Sequence, residues 1–240
     1  SLITGFIITS NVNVQTSGLT IKRNRFDAND IFITMGTGVT NVLVLQNYMS
    51  DSRSSNGIAL GSNNQNIIIS NNFIARLLSS NIISGPGSAT AIINNNVLFG
   101  VLDVDNSTIQ DNILRDGTLS GANNSANSNI ANSTQFDGLG SNNQASVDIA
   151  TVFEGTGSSD GQWQLKAGSP ALGNGVGNGD IGMYGGGDPY VLSGIPSIPA
   201  IYFFNAPVQG STTEPATSTV GPSVEGISMP RSGVVTRICG

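Results

Sequence analysis

Two clusters of ionic side chains are the first places to look for chemistry. Lys22, Arg23 and Arg25 stand beside Asp27 and Asp30, and Asp103, Asp105 and Asp111 stand near Arg115 and Asp116. Carboxylates next to a basic residue suit calcium-assisted proton abstraction from a uronic acid. Two carboxylates at a controlled separation suit glycoside hydrolysis. Asp103 and Asp105 would share one strand face, and Asp51 lies 24 residues after Asp27. The chain has no histidine, which removes the commonest general base and the triads that use it. Its one cysteine, Cys239, allows no intrachain disulfide and no Cys cluster for a metal. Gly173 to Gly179 is glycine-rich, but no P-loop lysine follows. Solvated turn charges with local ion pairs account for these residues better than an acid/base pair does. No catalytic, cofactor-binding or metal-binding residue is therefore assigned.

The elements that would position them are written as a repeat. Leu19-Thr-Ile21-Lys-Arg-Asn24-Arg-Phe26 returns as Val42 to Met49, Ile67 to Ile74, Ala91 to Leu98 and Ser107 to Leu114. The template is apolar-x-apolar-x-x-Asn-x-apolar. Its asparagines stand at 24, 47, 72, 96 and 112, so the spacings are 23, 25, 24 and 16. A period in the twenties marks a solenoid. Apolar residues two apart share one strand face, and the asparagine falls at a corner. About 24 residues suit three short strands and three turns, and the coils would stack about 4.8 Å apart. Asn tolerates the left-handed conformation of a sharp corner, and its amide both donates and accepts. The five asparagines are expected to stack as a ladder. Ile31 to Ile33, Ile58 to Leu60, Ile82-Ile83 and Val101 to Val104 are further strand candidates.

These phrases resemble bacterial right-handed parallel β-helix proteins of the broad pectate-lyase-like superfamily. The resemblance implies an all-β solenoid and leaves activity open, because that fold hosts lyases, hydrolases, adhesins and stalks. Ala167-Gly-Ser-Pro-Ala171 followed by Asp180-Ile-Gly-Met-Tyr-Gly185 resembles the closing segment of large bacterial surface proteins, including those exported by the type IX route. It implies irregular last coils that cap the solenoid, with Trp163, Leu165, Leu172, Ile181 and Tyr184 over the end of the apolar columns. Residues 1–155 are expected to be β-helix coils, with 117–146 reaching out as a polar surface excursion. Residues 156–206 are read as cap and extended strap, and 207–240 as a linker with a strand-prone tail.

Composition narrows the partners. Charged residues are 10% of 240, against the usual quarter. Net charge is −6 with a pI near 4.3, so no basic stripe exists for nucleic acid or an anionic membrane surface. No stretch reaches the roughly 20 apolar residues of a membrane span. The chain starts without Met or a signal segment, as a mature or excised product would. The first coil is expected to expose strand edges that invite strand addition or an upstream segment. The expected protein is a non-catalytic extracellular module at the bacterial surface, a stalk, adhesin or filament subunit that self-associates or joins further modules. The alternatives are a polysaccharide lyase or glycoside hydrolase of this fold, or a carbohydrate-binding module.

Overall fold

A computed structural model describes residues 1–192 apart from 29, 53, 54 and 78. The strap beyond 192, the linker, the strand-prone tail and Cys239 lie outside the described residues. Among the described residues three parallel sheets run along the chain. The first takes Leu2–Thr4, Thr20–Lys22, Thr40–Leu45, Gln65–Ser70, Ala91–Asn94, Thr108–Gln110 and Ser125–Asn127. The second takes Ile7–Ile8, Arg25–Phe26, Tyr48–Ser50, Phe73–Ala75, Val97–Phe99, Ile113–Arg115 and Ile130–Ala131. The third takes Val12–Val14, Ile33–Met35, Ile58–Ala59, Asn81–Ser84, Val101–Asp103 and Leu119–Ser120. Each turn of chain contributes one strand to each sheet in order, which is a parallel β-helix.

The register stacks like on like. Ile21, Val44, Ile69, Ile93 and Ile109 form one inward column. Phe26, Met49, Ile74, Leu98 and Leu114 form another. Both are buried in one continuous core. The repeat template placed these residues, and the third-sheet strands at Ile58–Ala59, Asn81–Ser84 and Val101–Asp103 fall on further candidates, whereas Ile33–Met35 begins where the candidate Ile31 to Ile33 ends and Leu119–Ser120 lies outside them.

The asparagine ladder is present and longer than the template found. Asn24, Asn47, Asn72, Asn96 and Asn112 continue through Asn129 to Asn143. Each link repeats one geometry. Asn72 Oδ1 accepts from the backbone N–H and the amide of Asn47, at 2.8 and 3.0 Å. Asn72 Nδ2 donates to Val44 O, Ser70 O and Asn96 Oδ1, at 2.8, 2.9 and 3.0 Å. These groups are sealed from water, so the amide is the partner of backbone that would otherwise be orphaned.

Two expectations need correction here. The left-handed residue of the corner is not the ladder asparagine but the residue before it. Arg23, Gln46, Asn71, Asn95, Asp111 and Ser128 all have φ between 53° and 57°. The ladder side chain has to point inward, so the chain reverses one residue earlier. The stretch 117–146 is likewise no surface excursion. It carries strands of all three sheets and two further ladder asparagines. Its coils are short, with ladder spacings of 17 and 14. A smaller circumference encloses less space, so Ala126 and Ala131 take the inward positions held above by Ile109 and Leu114. Low apolar content there reflects a narrower core. Phe136 is buried at this end of the core with Leu139 packed against it. The last rung is tied on by Leu139 O, Ser141 O and Gln144 O, which accept from Ala126, Ser128 and Ala131.

Candidate functional site

The segment 147–192 does not lie over the end of the apolar columns as the resemblance implied. It packs on the outer face of the second sheet. Tyr48, Phe73, Val97, Ile113 and Ile130 form an outward column there, and they share a second core with Val152, Phe153, Ile181, Met183 and Tyr190. Trp163, Leu165 and Tyr184 join this flank plate, whereas Leu172 is 39% exposed. Trp163 stacks on Phe73 at 5.0 Å between ring centres and meets Phe99 and Phe153 edge-on. A short hairpin holds the tryptophan, with Glu154 N–H donating to Gln164 O and Gly155 N–H to Gln162 O. Packing is thus the role of Trp163 in the fold.

Between this hairpin, the segment leaving the helix and the second sheet lies an open cleft of about 790 Å³. Arg115, Asp116, Asp148, Glu154, Trp163 and Lys166 line it. Arg115 Nε donates to Asp116 Oδ2 at 2.7 Å, and its guanidinium lies 5.0 Å from the Phe99 ring centre. Lys166 Nζ donates to Ala150 O at 2.6 Å. A second cleft of about 230 Å³ opens beside Phe6, Arg23, Arg25, Tyr48 and Asp160. Asp160 is buried there and accepts from Ser158 Oγ at 2.8 Å and Tyr190 Oη at 3.2 Å. Tyr184 Oη donates to the Asp160 carbonyl at 2.9 Å. Burial first, and then the Asp160 charge, holds the Tyr184 and Tyr190 hydroxyls above the ordinary tyrosine range.

The ionic clusters of the sequence come apart in space. Lys22 pairs with Asp188 at 2.7 Å, Arg23 Nε donates to Gln46 Oε1 at 2.7 Å, and Arg25 reaches Ser159 Oγ at 3.3 Å. Phe26 pairs with Met49, so Asp27 falls beside Ser50 rather than Asp51. Asp51 instead lies 3.9 Å from Arg76. Asp103 accepts from Ser120 Oγ and Asp105 from Ala122 N–H, each tied to the following coil. Asp111 accepts from Val176 N–H on the far corner of the coil. Asp148 and Glu154 fall in the stretch expected as the last coil, and Asp160 and Lys166 in the expected end cap, so none of the four was singled out. Among the described residues no three His, Cys, Asp or Glu side chains group to hold a metal. Nor is any described helix long and apolar enough to cross a membrane.

The fold and these clefts define a parallel β-helix whose second flank is covered by its own C-terminal plate. No known protein family, curated protein or solved structure matches the chain.

Proposed function

We propose that the chain is a non-catalytic structural module of an extracellular, cell-surface protein, a β-helix serving as stalk, adhesin or filament subunit. One observation carries this reading. Most of the ionic side chains that could have formed an active site are spent on neighbouring coils, on the plate or on an adjacent residue. Lys22, Arg25, Asp103, Asp105, Asp111 and Arg115 each bond a neighbouring coil, the plate or an adjacent residue. The resemblance of the repeat and of the closing segment to bacterial surface proteins supports the location. The test has two arms. Labelling of intact source cells is expected to reach the protein. Incubation with uronic-acid polysaccharides, with and without Ca²⁺, is expected to release no products. Cleavage that disappears in Arg25→Ala or Asp27→Ala would overturn the reading.

A second reading, carbohydrate binding, draws on the larger cleft. Its lining sets Trp163 among both donors and acceptors, the pairing of aromatic and polar groups that a polyhydroxylated ring uses. Trp163 is the only tryptophan, so its emission reports occupancy directly. Titration with neutral and uronic oligosaccharides tests the reading, and unchanged emission and heat at millimolar ligand would sink it.

A further inference from the structure

The plate ends in a segment, 176–190, that runs back along the wall across successive coils. Four of its five anchors are left-handed corner residues. Val176 N–H donates to Asp111 Oδ1 at 3.0 Å, and Gly182 N–H to Asp111 O at 2.8 Å. One coil back, Asn95 Nδ2 donates to Asp180 O at 3.2 Å. Asn71 Nδ2 donates to Met183 O and Gly185 O, at 3.0 and 2.7 Å. Gln46 Nε2 donates to Asp188 O, Asp188 Oδ1 and Pro189 O, at 2.9, 2.7 and 2.7 Å. Lys22 closes the series on Asp188. The bonded coils are those of Asn24, Asn47, Asn72, Asn96 and Asn112.

We infer that this segment is a longitudinal clasp that makes five consecutive coils open as one unit. Three observations converge. The anchors project from the outside of the wall yet are only 2–5% exposed at Gln46, Asn71, Asn95 and Asp111. The clasp backbone lies directly on the wall. A Cβ at Gly182 would stand 2.6 Å from Ile113 Cδ1, and one at Gly185 would stand 1.8 Å from Asp180 O and 2.9 Å from Asn95 Nδ2. Lastly, the side-chain anchors Asp111, Asn95, Asn71 and Gln46 meet Val176, Asp180, Met183 and Asp188 in the reverse of their order along the helix, with Gly182 returning once to Asp111 O. A solenoid without such a feature is nearly one-dimensional, since each coil touches only its neighbours and the ends open first. The clasp adds bonds from one continuous segment to all five coils, and so couples coils that are not nearest neighbours. Tension along the helix axis would otherwise fall on the ladders alone, and here the clasp shares it. The inference concerns the coils themselves and stands whether or not the protein sits at a cell surface.

The test uses the full chain and two matched triple variants. Gln46→Gly/Asn71→Gly/Asn95→Gly removes three anchors while glycine keeps the left-handed backbone free of strain. Asn41→Gly/Asn66→Gly/Asn123→Gly makes the same change at three exposed left-handed residues elsewhere. Native-state hydrogen exchange is followed with rising denaturant. In the wild type and the control, amides of strands 20–22, 43–45, 68–70, 92–94 and 108–110 are expected to merge into one opening. In the anchor variant the amides of 20–26 are expected to lose about tenfold or more protection relative to 92–110. A wild type that opens coil by coil, or an anchor variant that stays merged, overturns the clasp. If the anchor triple does not fold, Asn71→Gly alone is read by the same criterion.

Discussion

At the scale of single residues, position along one corner separates asparagines that look alike in the sequence. Asn72 and Asn71 are neighbours, both buried, and they do different work. Asn72 faces inward and bonds backbone groups of its own coil and the one before, and the amide of the next, whereas Asn71 faces outward and holds the plate. The template identified the first kind because five copies fell in register with apolar columns. It could not identify the second, because the residue before the ladder varies among Arg23, Gln46, Asn71, Asn95 and Asp111. What these share is a conformation and a partner far along the chain, and neither is written locally. Replacing Asn72 by Ala leaves Asn47 N–H without its partner and takes one donor each from Val44 O and from Ser70 O, the latter still accepting from Gln46 N–H. At about 1–3 kcal/mol for a buried orphan, a loss of about 1–3 kcal/mol is expected in urea unfolding. Asn123→Gly, at an exposed left-handed residue, should cost less than about 1 kcal/mol. Equal midpoints for the two variants would contradict the ladder account.

At the scale of elements, the flank plate decides how much of the wall is dry. Its presence was legible in the repeat, though not read there. The position between the ladder asparagine and the next inward residue should face water. It is Arg25 in the second coil, and then Tyr48, Phe73, Val97, Ile113 and Ile130. An apolar run on an outer face calls for a cover. Trp163 is the centre of that cover, and truncating it to Ala should cost about 3–5 kcal/mol of plate docking, with the coils still folded by circular dichroism. The plate should also come away in alkali. Burial, reinforced by the Asp160 charge, raises the Tyr184 and Tyr190 hydroxyls above their unfolded value of 10.0. The folded plate therefore holds these protons after the unfolded chain has released them. The stabilisation is complete below pH 10.0 and is lost as pH rises beyond it. Trp163 emission is expected to stay constant up to that point and to shift red above it. A red shift centred well below it would assign detachment to another group.

For the whole described molecule, the plate and the clasp make the β-helix depend on chain that follows it. Shortened coils narrow the core to Ala126 and Ala131, and Phe136 and Leu139 pack at this end. The coils could therefore finish at the last rung without the plate. Their outer column could not, because Tyr48, Phe73, Val97, Ile113 and Ile130 would then face water together. A chain ending at residue 146 keeps every ladder asparagine and every inward column. It is expected to retain parallel-sheet circular dichroism but to aggregate, since a contiguous apolar strip on a sheet face is a docking surface for any similar strip. A chain ending at residue 192 keeps both the plate and the clasp, and it should remain dispersed with the same far-ultraviolet spectrum. Light scattering of the two at equal concentration separates these outcomes. If the shorter chain stays monomeric, the outer column tolerates water and the plate must serve something other than cover. If the longer chain aggregates equally, the exposed strip lies on another face, and the first sheet, where Ile92 is 45% exposed, becomes the one to mutate.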